Sequence, residues 1–449
     1  MTLPLSAVAA ATGGRLLGED ATIRGLSIDS RRVERDHLFV ALAGERTDGH
    51  GFVEAAGEAG AGGALISRPL ETTIPRVLVE DTEQAMGALA ASWRQRFDLP
   101  VAGVTGSNGK TTVKGMLGAI LGQRWRCLVT PGNYNNELGL PLTLSLLDAS
   151  TEAMVLEMGC GKPGDIDYLA GIGRPRVGII TNASAAHLER LGTIEGVAKV
   201  KGELISALPA DGVAILNRND DHYAYWCGVA GDRRIISFGT REDADVFAAY
   251  QHSEDGPQVE LQTPAGSLTC ALPVAGAHNA SNAAAAAAAA LAFGLGIDEI
   301  EAGLAAFEPE AGRLRSLRPD GGWILLEDTY NANPASLAAG IRVLVEHAGE
   351  RWLVLGDMAE LGPEEEALHF QSGALARRLG VERLFALGPL ARHAAMGFGD
   401  GAQHFDDREV LVAALAAALE PRVVCLIKGS RSARMEEVSR ALAGEAACS

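Results

Sequence analysis

The stretch Val101-Ala-Gly-Val-Thr-Gly-Ser-Asn-Gly-Lys-Thr-Thr112 constrains this chain more than any other. An apolar run, Val101 to Val104, reads as a buried strand. It enters a glycine-bearing loop that ends in Gly109-Lys110-Thr111, and a helical pattern is expected over Val113 to Leu121. Strand, glycine loop and helix in that order make a phosphate cradle. The glycines let backbone N–H groups approach phosphate oxygens, Lys110 reaches the β/γ-phosphates, and the Thr111 hydroxyl suits Mg²⁺. The helix adds the positive end of its dipole. The strict pattern has glycine at position 104. Here that position is Val104, with Gly103 one residue early, so the loop differs from that of a typical motor or switch NTPase.

The 449 residues exceed what one core organises, and 47% hydrophobic content is ample for several. A net charge of −18 argues against binding to nucleic acid or an anionic membrane as the main activity. No apolar run is long enough for a membrane span. Met1 to Val8 has neither a basic region nor a long apolar stretch, so no secretory leader and a cytoplasmic location are expected. The six cysteines (127, 160, 227, 270, 425 and 448) are scattered, without Cys-x-x-Cys or Cys/His metal spacing. Reduced thiols are expected.

Short apolar runs alternate with Ala/Leu-rich helical patterns, the signature of α/β domains with mainly parallel sheets. A first block carries runs at Leu38–Leu42, Ala64–Ile66 and Arg76–Val79, with a helix near Val53 to Ala59. The central block continues with strands expected at Ala153–Met158, Val177–Thr181 and Val213–Leu216. Alternation from Val246 to Leu272 predicts antiparallel strands, with turns at Asp255-Gly-Pro257 and Pro264-Ala-Gly266. Ser281-Asn282 then precedes eight alanines, which predict a close-packed helix. A third block, from about Gly312, has strands expected at Trp323–Leu326, Arg351–Leu355 and Val423–Ile427.

Several polar residues fall at expected strand ends, where α/β sheets bind ligands. Glu157 is placed to hold Mg²⁺, with a helix-capping or surface acid as the competing reading. Asn182 and His187 follow the next strand; His187 suits a metal or a phosphate, or a satisfied structural role. Lys199 and Lys201, on a helical segment from Val197 to Leu208, read from the residues alone as solvated surface lysines. Asn282 suits a purine, having both donor and acceptor, or an ordinary helix N-cap with Ser281. Arg313 and Asp328 suit a γ-phosphate and a ribose, or a salt bridge at a domain joint. Lys428 and Arg431, with their neighbouring hydroxyls, suit a carboxylate substrate or a solvated turn. In the first block, Ser27-Ile-Asp-Ser-Arg-Arg32 and the loop Phe39 to His50 combine hydroxyls, arginines and glycines compatible with a nucleotide diphosphate.

Taken together, these segments resemble the Mur ligase family, ATP-dependent amide-bond ligases of peptidoglycan synthesis. The resemblance runs in order through nearly the whole chain. It is carried by Gly132-Asn-Tyr-Asn-Asn-Glu-Leu-Gly-Leu-Pro141, Asp328-Thr-Tyr-Asn-Ala-Asn-Pro334, Gly356-Asp-Met-Ala-Glu-Leu-Gly362 and Lys428-Gly-Ser-Arg-Ser432. These segments look like the branch that adds D-alanyl-D-alanine to a UDP-N-acetylmuramoyl-tripeptide. Another Mur ligase or a folylpolyglutamate-synthetase-like enzyme, adding a single amino acid, is the alternative. The resemblance implies three α/β domains. These are a small UDP-substrate domain over 1–82, a central P-loop ATPase-type domain with a mainly parallel sheet over 83–311, and a Rossmann-like C-terminal domain over 312–449. It implies ATP contacts at Ser107, Asn108, Gly109, Lys110, Thr111, Thr112, Asn282, Arg313 and Asp328. Mg²⁺ falls to Thr111 and Glu157, with a second ion near His187. Lys201 takes the place of a lysine that is carbamylated in the family, which reverses its surface reading; Lys110, His187 and Lys201 become the catalytic group. Substrate contacts fall to Ser27, Asp29, Ser30 and Arg31 for the UDP end, and to Asn136, Asn331, Lys428, Ser430 and Arg431. A monomer acting on small molecules is expected.

Overall fold

The computed structural model describes all residues except 45–46, 186–187, 254–255 and 445–449. The described residues form three larger sheets in chain order, all in an α/β setting.

The first sheet has five strands, ordered Arg15–Leu17, Arg76–Leu78, Gly63–Ile66, Leu38–Val40 and Leu26–Ser27. All but the Arg15–Leu17 strand pair in parallel. Helix Thr82–Arg94 follows, capped by Asp81, whose carboxylate accepts the amides of Glu83 and Gln84. Its Ala85, Met86 and Leu89 lie in one apolar cluster with Leu5, Val8 and Leu65 of the first sheet's unit and with Leu144 and Leu169 further on. The helix therefore glues the first unit to the second.

The second sheet has nine strands. At its centre Val101–Thr105 lies parallel between Ala153–Glu157 and Val177–Ile180. All five residues of Val101–Thr105 are buried, as a strand covered by helices on both faces must be. The chain leaves this strand toward one edge and later crosses to the other. The crevice at its carboxyl end is therefore a topological switch point. Val246–Ser253, Gly256–Thr263 and Gly266–Ala271 extend the sheet as an antiparallel meander, as the alternation predicts.

The alanine helix spans Ala277–Ala292, and Ala283 to Ala290 are completely buried. Methyl side chains let it lie close against strands Arg234–Gly239 and Val246–Ser253 and against the helix that follows the phosphate loop. A helix that is apolar all round has no solvent face to offer. It begins four residues before Ser281, after Gly276 at φ +101°. Ser281 and Asn282 therefore lie inside the helix, and the N-cap reading of them fails.

The third sheet has six strands, ordered Arg315–Leu317, Ile324–Asp328, Val423–Lys428, Glu350–Gly356, Arg383–Leu387 and Ala402–Phe405. Only the first pair is antiparallel. Alternate residues serve opposite cores. Leu326, Leu353, Leu384 and Leu426 face one side; Leu325, Val354, Phe385 and Ile427 face the other. No described helix is long and apolar enough to cross a membrane, and the described cysteines are free.

Candidate active site

The phosphate loop is built by backbone geometry. The helix behind it starts at Lys110, three residues earlier than periodicity suggests, because Gly109 at φ +81° turns the chain directly into it. A left-handed residue at this point favours glycine. Gly106 is required for a second reason, since a Cβ there would collide with the Thr181 hydroxyl. The loop is strapped to the neighbouring strand end. Asn182 Oδ1 accepts the Asn108 amide at 3.0 Å, and Asn182 Nδ2 and Thr181 Oγ1 both donate to the Asn108 carbonyl, at 3.0 and 2.6 Å. Asn182 thus supports the loop. The first amides of helix Lys110–Leu121 have no partner within the helix, as at any helix start, and this makes a ready anion site.

A cavity of about 590 Å³ opens over this loop, within the range of small-molecule sites. It gathers Ser107, Asn108, Gly109, Lys110, Thr111, Thr112, Asn136, Glu157, Lys201 and Asn282 from the second unit. From the third it takes Arg313, Asp328, Asn331 and Lys428. Fourteen expected site residues, spread from 107 to 428, thus converge on one space.

Its electrostatics follow from burial. Lys110 donates to the Gly106 carbonyl at 2.8 Å, and burial lowers its pKa, opposed by the nearby Glu157. Glu157 is only 2% exposed, so it is neither a surface acid nor a cap. Its Oε1 accepts from Asn135 Nδ2 at 2.8 Å, while its buried Oε2 has no hydrogen-bond partner. Lys201 is also 2% exposed, which overturns its surface reading; Lys199 on the same helix is exposed. Burial brings the Lys201 pKa down to about 8, and its Nζ lies 3.8 Å from Cys160 Sγ. His278, at the start of the alanine helix and on the cavity wall, is brought down to about 4, again chiefly by burial.

The third unit touches the phosphate loop directly. Arg313 Nη2 donates to Thr111 Oγ1 at 3.0 Å, and its guanidinium lies over the Tyr330 ring, 3.8 Å from the centroid. Asn333, which caps helix Pro334–Glu346, donates from Nδ2 to Asn108 Oδ1 at 2.8 Å. Asp328 and Lys428 pair with each other at 2.6 Å, and Lys428 also donates to the Asn331 carbonyl. The domain-joint contact is thus a hydrogen bond from Arg313 to Thr111, and the Asp328 ion pair lies within the third sheet.

Other expected residues lie elsewhere. Ser430 donates its hydroxyl to the Asp357 carbonyl at 2.6 Å, Arg431 pairs with Glu436, and neither lines the cavity. Ser27, Asp29, Ser30 and Arg31 form a separate turn in the first unit. Ser27 Oγ donates to the Asp29 carbonyl, and the Asp29 carboxylate accepts from the Arg31 amide and guanidinium. Hydrogen bonds from Arg31 hold Asp29 at about 2. His187 lies outside the described residues. Residue reasoning missed Lys114, Cys160, His278, Tyr330 and Asn333. A lone lysine between Val113 and Met116 on an otherwise apolar helix was the available signal for Lys114.

Among the described residues no cluster of three or more His, Cys, Asp or Glu side chains is arranged to hold a metal. Mg²⁺ takes one or two protein oxygens and completes its shell with water and phosphate. Glu157 Oε2, which accepts no hydrogen bond, and the Thr111 hydroxyl are ligands of that kind.

Family models described as the Mur ligase family catalytic domain, the Mur ligase middle domain and the Mur ligase glutamate ligase domain match residues 22–94, 104–290 and 312–431. The UDP-N-acetylmuramoyl-tripeptide–D-alanyl-D-alanine ligase of Escherichia coli is 41% identical over the full length of both chains. A crystal structure of MurF from Acinetobacter baumannii superposes with a TM-score of 0.93 at 34% identity, covering 99% of each chain. MurF of Thermotoga maritima in complex with ADP gives 0.85 at 29% identity, covering 94% of this chain and 97% of its own. By sequence along its whole length and by fold, this chain belongs to the Mur ligase family.

Proposed function

We propose that this ATP-dependent ligase joins D-alanyl-D-alanine to the terminal carboxylate of a UDP-N-acetylmuramoyl-tripeptide, a step of peptidoglycan synthesis. The observation that carries the reading is the cavity in which the phosphate loop, Glu157 and Lys201 meet Arg313, Asp328 and Lys428. Full-length similarity to a ligase named for this substrate pair supports the choice of substrates over single-amino-acid addition.

A carboxylate is a poor acyl donor because its leaving group is oxide. Transfer of the ATP γ-phosphoryl group to it gives an acyl phosphate, which has a good leaving group. The dipeptide amine then attacks, and the tetrahedral intermediate collapses to amide and phosphate. Positioning and charge neutralisation supply most of the catalysis. In this reading the loop amides and Lys110 hold the phosphates, Arg313 meets the γ-phosphoryl group, and Asn282 and Asp328 contact the nucleoside. Thr111 and Glu157 hold Mg²⁺, which when bound offsets the charge on the transferring group. His187 is assigned to a second ion on the resemblance alone.

Lys201 is carbamylated in this reading. Only a neutral amine reacts with CO₂, and a pKa of about 8 makes neutral amine available near physiological pH. Residues 1–82 take the UDP end through Ser27, Asp29, Ser30 and Arg31. Residues 83–311 take ATP, and 312–449 supply Lys428, Ser430 and Arg431 for the dipeptide side. Asn136 and Asn331 contact substrate, and the chain acts as a cytoplasmic monomer.

The test is ADP release with tripeptides ending in meso-diaminopimelate or in lysine, each with and without D-alanyl-D-alanine. The expected result is turnover only when tripeptide and dipeptide are both present. Turnover with single amino acids and none with the dipeptide would overturn the substrate assignment.

A further inference from the structure

The segment that joins the second and third sheets, from Phe307 to Arg313, runs along one face of the phosphate-loop helix. Three contacts set it there. Phe307 packs where Gly115 has no side chain; a Cβ on Gly115 would come within 2.7 Å of the Phe307 ring. Glu310 pairs with Lys114 at 2.9 Å. Arg313 donates to Thr111 at 3.0 Å. Thr111, Lys114 and Gly115 are spaced i, i+3 and i+4, so they share one helix face.

Lys114 is the middle contact, and its burial is anomalous for a lysine at 1% exposure. It is not part of the cavity wall. An ammonium has three donors, and three oxygens surround this one. Gly132 O lies at 2.8 Å, Glu310 Oε1 at 2.9 Å and Glu157 Oε2 at 3.4 Å. The first two take the ammonium's hydrogen bonds and leave it in ion-pair contact with Glu157 Oε2, not aligned as a hydrogen bond. The Glu157 carboxylate is therefore oriented by charge on one side and by Asn135 on the other, yet its Oε2 has no hydrogen bond. An oriented, buried carboxylate with an oxygen that no hydrogen bond occupies suits a hard divalent cation.

We infer that Lys114 is a positioning residue. It aims Glu157 for the metal and, through Glu310, makes that aim depend on how the connecting segment is seated. The inference rests on the reading of Glu157 as the metal-holding acid. Seating the third unit and preparing the metal site then become one event.

Full-length protein with saturating ADP is titrated with Mn²⁺, and the free ion is followed by electron paramagnetic resonance. Loss of the partner that orients a ligating carboxylate weakens metal binding by about 10- to 100-fold, so Lys114→Met is expected to do the same. Glu310→Gln is expected to shift affinity in the same direction by less, because the released ammonium closes on Glu157 and competes with the ion. The double variant is expected to match Lys114→Met, since Glu310 acts only through Lys114. Unchanged or tighter Mn²⁺ binding in folded Lys114→Met overturns the inference, because the ammonium then merely neutralises charge. Additive losses in the double variant overturn the coupling to the segment. If Lys114→Met does not fold, Glu310→Gln decides alone, and unchanged Mn²⁺ affinity there overturns the inference. Glu157→Gln separates the two layers. Unaltered binding in that variant removes the metal reading and the inference together. Loss in Glu157→Gln with none in the other variants removes the inference and leaves the metal reading standing.

Discussion

The cavity over the phosphate loop and the Ser27–Arg31 turn of the first unit are both rich in polar residues, but they are built in opposite ways. In the cavity, Glu157, Lys201 and Lys428 are each 2% exposed, and their partners come from distant parts of the chain. In the turn, Asp29 and Arg31 satisfy each other two residues apart, and the Arg31 side chain is 86% exposed. Buried charges are costly unless paired, so each one in the cavity constrains its neighbours. Exposed pairs are screened by water and constrain little. A lost side chain should therefore be felt far more in the cavity than in the turn.

The largest expected effect tests the cavity directly. Lys110→Ala should lower kcat by about 10²–10³, the usual loss for one electrostatic donor to a developing charge. Lys201→Ala should be similarly impaired and, on the proposed carbamylation, partly restored by short carboxylic acids that fill the vacated anionic position. Exposed Lys199→Ala should stay near wild type in steady-state assays. Full activity in Lys201→Ala would break the comparison, because a buried lysine would then count for no more than an exposed one.

The next effect is on packing. Ala286 is completely buried in the alanine helix. Ala286→Leu should cost about 1–3 kcal/mol through overpacking, read as a lower denaturant midpoint. An unchanged midpoint would show slack that a close-packed helix does not have.

A smaller effect is pH-dependent. The folded His278 pKa of about 4 lies below its ordinary value of 6.5. Between these values the unfolded chain binds more protons, so stability falls as pH drops from about 6.5 to 4. His278→Gln should flatten that part of the stability–pH curve, by on the order of 3 kcal/mol at its acid end. Parallel curves for the two proteins would show that His278 is not protonated on unfolding in that window.

The smallest effect belongs to the turn. Asp29→Ala removes the cap of a short 3₁₀ turn, and only a small loss of stability is expected at this exposed site. It should raise KM for the UDP substrate and leave kcat alone. A fall in kcat comparable to that of Lys110→Ala would erase the distinction between the two regions.

Local sequence was enough to determine the strand–loop–helix of the phosphate cradle, the parallel α/β class, the antiparallel meander and the burial of the alanine run. Each follows from nearest-neighbour physics: periodicity, glycine in a tight turn, and methyl side chains that favour helix. Most of the expected residues that line the cavity were legible for the same reason, because they sit at or just beyond strand ends. Burial of individual charges was not legible. Lys199 and Lys201 are two residues apart on one helix, and only the packing of that helix decides that one faces water and the other the cavity. Helix starts were also missed, because Gly109 and Gly276 turn the chain earlier than the apolar pattern indicates. Tertiary structure alone decided the pairing of Arg313 with Thr111, Asn333 with Asn108, and Lys114 with both Glu157 and Glu310. The Arg313 and Asn333 contacts join residues more than two hundred positions apart. No local preference encodes such a contact; it forms when separate sheets dock and their buried charges must find partners.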